Sequence, residues 1–394
     1  MLSKLAEMGL RALNLAGKQV LPVVQGGMGV GVSGHRLAGS VAREGAVGTV
    51  ASVDLRHHHP DLMAQSRHCR DKVQLDQLNL VALDREMQAA RQRSAGNGLI
   101  AVNVMKAVTE HTQLVRQACV SGADAIVMGA GLPLDLPDVT ADYPSVALIP
   151  ILSDARGIAL LLKKWLRKGR LPDAIVIEHP RHAGGHLGAA RISELHDPRF
   201  EFDVVLTQTR ALMQELGIDP ERVPLICAGG INSHEQVREL FRLGAAGVQL
   251  GTAFAVSAES DAHPVFKQVL AEARPEDVVE FVSVAGLPAR GVLTPWLKNY
   301  LRRESMLQSK AKCDPDRCAA GLHCLTVCGL RDGLARFGQF CIDSQLAAAL
   351  RGDVNKGLFF RGAGTLPFGS AVRPVRELIE YLLTGVRPGG LPAM

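Results

Sequence analysis

Aromatic side chains are scarce, 4% of the 394 residues. That scarcity argues against a stacking platform for single-stranded nucleic acid. Basic blocks are missing too. The net charge of +5 is spread along the chain, so neither nucleic acid nor an anionic membrane surface is an expected partner. No apolar run reaches the ~20 residues of a membrane span. The first twenty residues carry Lys4, Glu7, Arg11 and Lys18 among leucines and alanines. A signal peptide needs an uncharged apolar stretch there. The stretch reads instead as an amphipathic helix closing the bottom of the fold, and the expected location is the cytoplasm. In that setting the eight cysteines are read as thiols or metal ligands, not as a disulfide scaffold.

Glycine is plentiful, at 40 residues, and it punctuates short apolar runs. Pro224-Leu225-Ile226-Cys227-Ala228 ends in Gly229-Gly230, and Gly247-Val248-Gln249-Leu250 ends in Gly251-Thr252. Buried parallel strands read this way, with glycines where backbone must approach a ligand. Eight apolar, strand-like runs occur, at 22–24, 47–52, 99–104, 125–128, 146–152, 174–177, 225–228 and 247–250. Segments 35–44, 110–121, 156–167, 201–216 and 234–243 between them have the 3.6-residue period of amphipathic helices. This alternation predicts an α/β fold, a closed (β/α)8 TIM barrel. It covers residues 1–258 and is completed by 357–394. Residues 259–356 are expected as a helical, cysteine-rich insertion over the barrel mouth. The paired glycine ends late in the chain match the phosphate site of such barrels.

A rival reading starts at the first strand. Gly29-x-Gly31-x-x-Gly34, with Asp54 after the next strand, fits a dinucleotide fingerprint. It would leave the later pair of glycine-ended strands without a task. His57-His58-His59 invites a metal reading, but adjacent side chains diverge on any regular backbone, so a loop without a ligand is expected. Ala183-Gly184-Gly185-His186-Leu187-Gly188 is different. It places an imidazole beside open backbone at a strand end, where it can act near neutral pH.

These motifs together resemble the nitronate monooxygenase family, once called 2-nitropropane dioxygenase, and the related FMN-dependent enoyl-acyl-carrier-protein reductases. The resemblance rests on Gln25-Gly26-Gly27-Met28, Asn103, Ala183-Gly184-Gly185-His186, Ala228-Gly229-Gly230-Ile231 and Gln249-Leu250-Gly251-Thr252. It implies FMN, with Gly26, Gly27 and Met28 along the ring system, Asn103 bonding to it, and Gln25 and Gln249 among the cofactor-binding residues. Gly184 and Gly185 border the cofactor. Gly229, Gly230, Gly251 and Thr252 hold its phosphate, and His186 is the catalytic residue. The implied reaction oxidises an alkyl nitronate with O2 through a flavin semiquinone. The alternative is an NAD(P)H-dependent flavin reductase acting on an enoyl thioester or a quinone, and a homodimer is compatible with either.

Two departures stand out. Gly27 occupies a place where the family usually has proline. Glu178-His179-Pro180-Arg181-His182 replaces a stretch that tends to hold glutamine, glycine and glutamate. There Arg181 and His182 bring charge toward an acidic substrate or sit in solvent. Lastly, Cys318-x5-Cys324-x3-Cys328-x12-Cys341 resembles the ligand run of barrel flavoenzymes that add a [4Fe–4S] cluster. Four thiolates meet the ligand need of that cluster, zinc is an alternative, and reduced thiols packing a cap are the third reading.

Overall fold

The computed structural model describes residues 1–318, 322 and 324–389. Its first sheet is a hairpin, β1 (Leu13–Leu15) and β2 (Lys18–Val20), paired antiparallel. Six strands alternate with helices after it. They are β3 (Val23–Gln25), β4 (Val47–Ala51), β5 (Leu99–Met105), β6 (Ala125–Gly129), β7 (Ala147–Leu152) and β8 (Ile175–Glu178). A two-residue strand β9 (Gly185–His186) precedes β10 (Leu225–Ala228) and β11 (Gly247–Leu250). β3 to β8, β10 and β11 pair in parallel, and β11 returns to β3 through Val248↔Val23, Val24↔Gln249 and Leu250↔Gln25. The barrel is closed. Each of the eight expected runs lies within one residue of its strand at either end. Closure also excludes the Rossmann reading, since a doubly wound sheet stays open. Asp54 of that fingerprint is buried against Arg56 and His57.

Alternation along the strands splits the core in two. Val24, Val47, Ala101, Val127, Ile149, Val176 and Ile226 fill the barrel interior. Their neighbours Val23, Val50, Val102, Ile126, Leu148, Ile177 and Leu225 face the surrounding helices. Buried on both faces, these strands have no polar side to show, which is why the sequence runs are continuously apolar. The helices start where side chains cap them. Asp154 accepts from Gly157 N at 2.8 Å, and Ser233 and Gln236 form a reciprocal capping box on helix His234–Arg242. Helix His35–Arg43 comes so near β4 that a Cβ at Gly48 would lie 1.8 Å from the Ala38 carbonyl oxygen.

Two expectations are corrected. The opening segment closes the barrel floor, but as the β1–β2 hairpin and not as a helix. Leu13, Leu15 and Val20 are buried in the barrel interior cluster, while Asn14, Lys18 and Gln19 are exposed. Ala16 and Gly17 both have positive φ, 50° and 72°, the backbone of a tight two-residue hairpin turn. The insertion, in turn, is not all helical. It carries helices Pro264–Glu272, Pro295–Ser309 and Ile342–Leu350, and also the hairpin of β12 (Val278–Val282) and β13 (Pro288–Val292). β13 pairs with β9 through Ala289↔His186 and Arg290↔Gly185. Among the described residues no helix is long and apolar enough to cross a membrane.

Candidate active site

One cavity of about 630 Å³ opens at the C-terminal ends of the barrel strands, a size suited to a cofactor or drug-sized guest. Its walls contain Gly26, Gly27, Met28, Asn103, Gly184, Gly185, His186, Gly229, Gly230, Gln249, Gly251 and Thr252. The structure thus brings the expected residues together, with one exception. Gln25 is fully buried in the barrel wall, where Oε1 accepts from Thr49 N at 2.8 Å and Nε2 donates to the Gly26 carbonyl. It braces the turn and does not face the cavity.

The side formed by β10 and β11 is built to receive an anion. Gly229 and Gly230 have φ of 102° and 72°, a conformation open to glycine. Among the described residues, the backbone N–H groups of Gly229, Gly230, Gly251 and Thr252 find no acceptor within the chain. Arg361 adds a cation. It is 3% exposed, and its guanidinium donates to the carbonyls of Leu270, Gly362 and Gly364 at 2.8–3.0 Å. Burial lowers its pKa from the ordinary value, with no carboxylate to offset it. A buried guanidinium bonded to carbonyls alone favours an anionic guest beside it. The turn it holds also touches the short helix Thr252–Ala255, as Gly362 N donates to Thr252 Oγ1 at 3.0 Å.

Across the cavity the chemistry changes. His186 is half-buried, its Nε2 lies 3.0 Å from Ser283 Oγ, and its ring centroid is 5.9 Å from that of Phe360. Desolvation pushes its pKa down to about 4, so the imidazole is neutral at pH 7. Arg290 of β13 holds the loop before it, donating to the carbonyls of Ala183 at 2.5 Å and Pro180 at 3.3 Å. Packing at the end of β3 is equally tight: a Cβ at Gly27 would fall 2.3 Å from Asn103 Cβ. Gln249 Oε1 is buried without a partner among the described residues, which leaves it ready for a donor on a guest.

Several functional groups escaped the sequence reading. Glu178 ends β8 on the cavity wall, and burial pushes its carboxyl up to about 7. Ser283 and Arg361 had no motif to reveal them. Asp343 also lines the cavity, and burial together with the neighbouring Asp54 pushes it up to about 7. Asp54 in turn takes Arg56 at 2.6 and 3.0 Å. Of the two readings for 181–182, Arg181 follows the solvent one, and His182 reaches the cavity without a charge. Arg181 is exposed, and His182, in the cavity wall, is pushed down to about 4, first by burial and then by nearby His179, Arg181 and Arg290.

The three adjacent histidines diverge as expected. His57 meets Asp54 at 3.3 Å, His58 the Gly31 carbonyl at 2.7 Å and His59 the Glu86 carboxylate at 3.1 Å. Asp54, His57 and Asp343 have ligand atoms within 4.8 Å of one another. The Arg56 guanidinium on both Asp54 oxygens already neutralises that group, which disfavours an added cation. Of the candidate metal ligands, Cys324 lines the cavity, while Cys318, Cys328 and Cys341 are not part of its lining.

A closed parallel barrel with anion-ready backbone at two strand ends and a neutral imidazole opposite defines a (β/α)8 enzyme site. A family model described as nitronate monooxygenase matches residues 14–385. A probable nitronate monooxygenase of Bacillus subtilis is 31% identical over 288 residues, 70% of this chain and 78% of that protein. One of Staphylococcus saprophyticus is 35% identical over 118 residues, 30% of this chain and 31% of that protein. Among solved structures, FabK from Thermotoga maritima superposes with a TM-score of 0.64 at 22% identity, over 92% of this chain and 91% of that one. Nitroalkane oxidase from Streptomyces ansochromogenes gives 0.60 at 19% identity, over 96% and 97%. At those identities the structures speak for the fold alone. The chain belongs to the nitronate monooxygenase family, and it is an oxidoreductase.

Proposed function

We propose that the protein is an FMN-dependent oxidoreductase that oxidises alkyl nitronates with O2. The observation that carries this reading is the pairing, in one cavity, of unpaired N–H groups plus Arg361 on one side with a neutral His186 on the other. FMN supplies the redox capacity between substrate and oxygen. The backbone of Gly229, Gly230, Gly251 and Thr252 holds its phosphate, with Arg361 offsetting the charge. Gly26, Gly27 and Met28 would flank its ring, Asn103 and Gln249 would offer hydrogen bonds to its polar groups, and Gly184 and Gly185 would border it.

A nitronate arrives already deprotonated, so it needs a hydrogen-bond donor more than a base. Neutral His186, with Nε2 engaged by Ser283, meets that need by orienting the nitro group. A neutral nitroalkane would have to lose its α-proton first. For that task Glu178, near 7, is better matched to neutral pH than His186, near 4.

A second reading is an NAD(P)H-dependent flavin reductase acting on an enoyl thioester or a quinone. The cavity supports it with Leu132, Leu287, Leu325, Leu346 and Phe360 on its walls, more apolar surface than a small nitronate covers. Anaerobic mixing with propyl-2-nitronate, NADH and NADPH in turn separates the two. Bleaching of the flavin absorbance by the nitronate, with O2 uptake on admission of air, is expected. Bleaching by a nicotinamide alone would favour the reductase.

A further inference from the structure

Five of the eight cysteines fall between residues 313 and 341, and the fold sorts them. The turn Pro315–Arg317 packs on helix Gly329–Asp332 and is tied to it by Asp314 N, which donates to the Arg331 carbonyl at 2.9 Å. Cys318 immediately follows the first element and Cys328 immediately precedes the second, so the tie brings the two cysteine-bearing segments together. Cys324 and Cys328 pack on the apolar cluster that includes Phe340 and Ile342, the two residues flanking Cys341. Cys318, Cys328 and Cys341 all lie in the electrostatic surroundings of Cys324. Cys313 is exposed, outside this packed group. No disulfide joins the described cysteines.

Reduced thiols that merely fill a cap need not converge on one another. This corner also holds groups that suit thiolates. Ser344 Oγ donates to Cys341 Sγ at 3.3 Å. The Arg331 guanidinium, paired with Asp332 at 2.6 Å and donating to the Leu325 carbonyl at 2.8 Å, lies near Cys328 and Cys318. Hydrogen bonds to sulfur and nearby cations are what an outer shell supplies to a thiolate-bound centre. Spacing then discriminates between metals. Four thiolates around one zinc, at bonds of about 2.3 Å, stand ~4 Å apart. Among the described residues no trio of these thiols gathers within 4.8 Å. A wider arrangement suits a cluster in which each thiolate binds a different iron.

We propose that Cys318, Cys324, Cys328 and Cys341 ligate a [4Fe–4S] cluster in the cap, against the wall of the active-site cavity that Cys324 lines. Nothing in the proposed nitronate reaction requires this site, so it stands apart from that reading.

The test uses the full chain purified anaerobically from iron-replete cells, with iron, zinc, acid-labile sulfide and released flavin measured on one sample. About four irons and four sulfides per chain are expected by the Cys₄ precedent. Cys341→Ser and Cys328→Ser should lose most of both, while Cys313→Ser keeps them. Should a ligand variant fail to fold, the wild-type stoichiometry and the Cys313→Ser control still decide. Stoichiometric zinc, or neither iron nor zinc, overturns the proposal, as does a cluster lost in Cys313→Ser. Flavin without iron would sink the cluster and leave the proposed function intact; iron without flavin would do the reverse.

Discussion

At the ends of β10 and β11 the cavity is lined by backbone N–H groups and one guanidinium, while at β9 it is lined by a neutral imidazole and apolar side chains. The first wall belongs to the barrel and presents fixed positive potential, much of it from main chain. The second depends on the β12–β13 hairpin, which pairs with β9 and brings Ser283 to His186. One wall is suited to gripping a charged cofactor through parts that few substitutions alter. The other is suited to presenting a single adjustable hydrogen bond to a substrate. Binding and chemistry are thereby assigned to different pieces of chain, so substitutions should separate them.

The largest effect is expected on the gripping wall. A Cβ at Gly251 would meet nothing closer than Met28 Sδ at 3.8 Å, and its φ is negative. Gly251→Glu is therefore tolerated by the backbone, yet it sets a carboxylate among the N–H groups. It should yield protein with unchanged circular dichroism and a cofactor affinity weakened by on the order of 10³-fold or more. Retention of normal cofactor content would break the assignment. Gly229 is a poorer probe, because its φ of 102° strains any side chain.

On the other wall, His186→Ala should keep the cofactor and lower kcat by ~10²–10³, the usual cost of removing one donor aimed at a developing charge. Steady-state kinetics on nitronate with flavin content measured alongside checks it. Equal loss of flavin and activity would mean the two walls are not separable.

Arg361→Met tests the guanidinium alone. A charge-assisted contact contributes about 1.5–3 kcal/mol, so cofactor affinity should fall by about 10- to 150-fold with kcat at saturation little changed. Titration of the apoprotein followed by fluorescence reads this directly.

The smallest effect concerns Glu178, whose carboxyl is raised from 4.5 to about 7 by burial. The folded chain keeps a proton that the unfolded chain releases. Its share of stability is full below pH ~4.5 and is lost as pH rises through about 7. Between pH 5 and 8 the wild-type Tm should therefore fall on the order of 2 °C more than that of Glu178→Gln. With a neutral nitroalkane as substrate, the wild-type rate should rise with pH through the same window, and the variant should lose that rise.

The two walls also differ in how far their residues foretell them. The barrel strands were legible because each is buried on both faces, so the apolar run and the strand coincide, and four of them (β3, β6, β10 and β11) end at glycine, as at Leu225–Ala228. The glycines at the ends of β10 and β11, which line the cavity, followed from the same signal. Gln25 did not, since a strand-end position does not say which way a side chain points. The β1–β2 hairpin was hidden because Ala16-Gly17 lacks the usual Asn-Gly mark, and its few apolar residues also suit a helix. The second wall depends on pairing between β9 and a strand about a hundred residues later. Ser283 and Arg361 sit in stretches with no periodicity of their own, and a distant hydrogen bond or a missing counter-charge exists only in three dimensions.

The central claim is that the unpaired N–H groups of β10 and β11, with Arg361, hold the single phosphate of FMN. Mass spectrometry of the cofactor released by heat from the purified full-length protein tests it most directly. The account predicts FMN at close to one per chain. FAD, or protein that neither carries nor takes up a flavin, would contradict it.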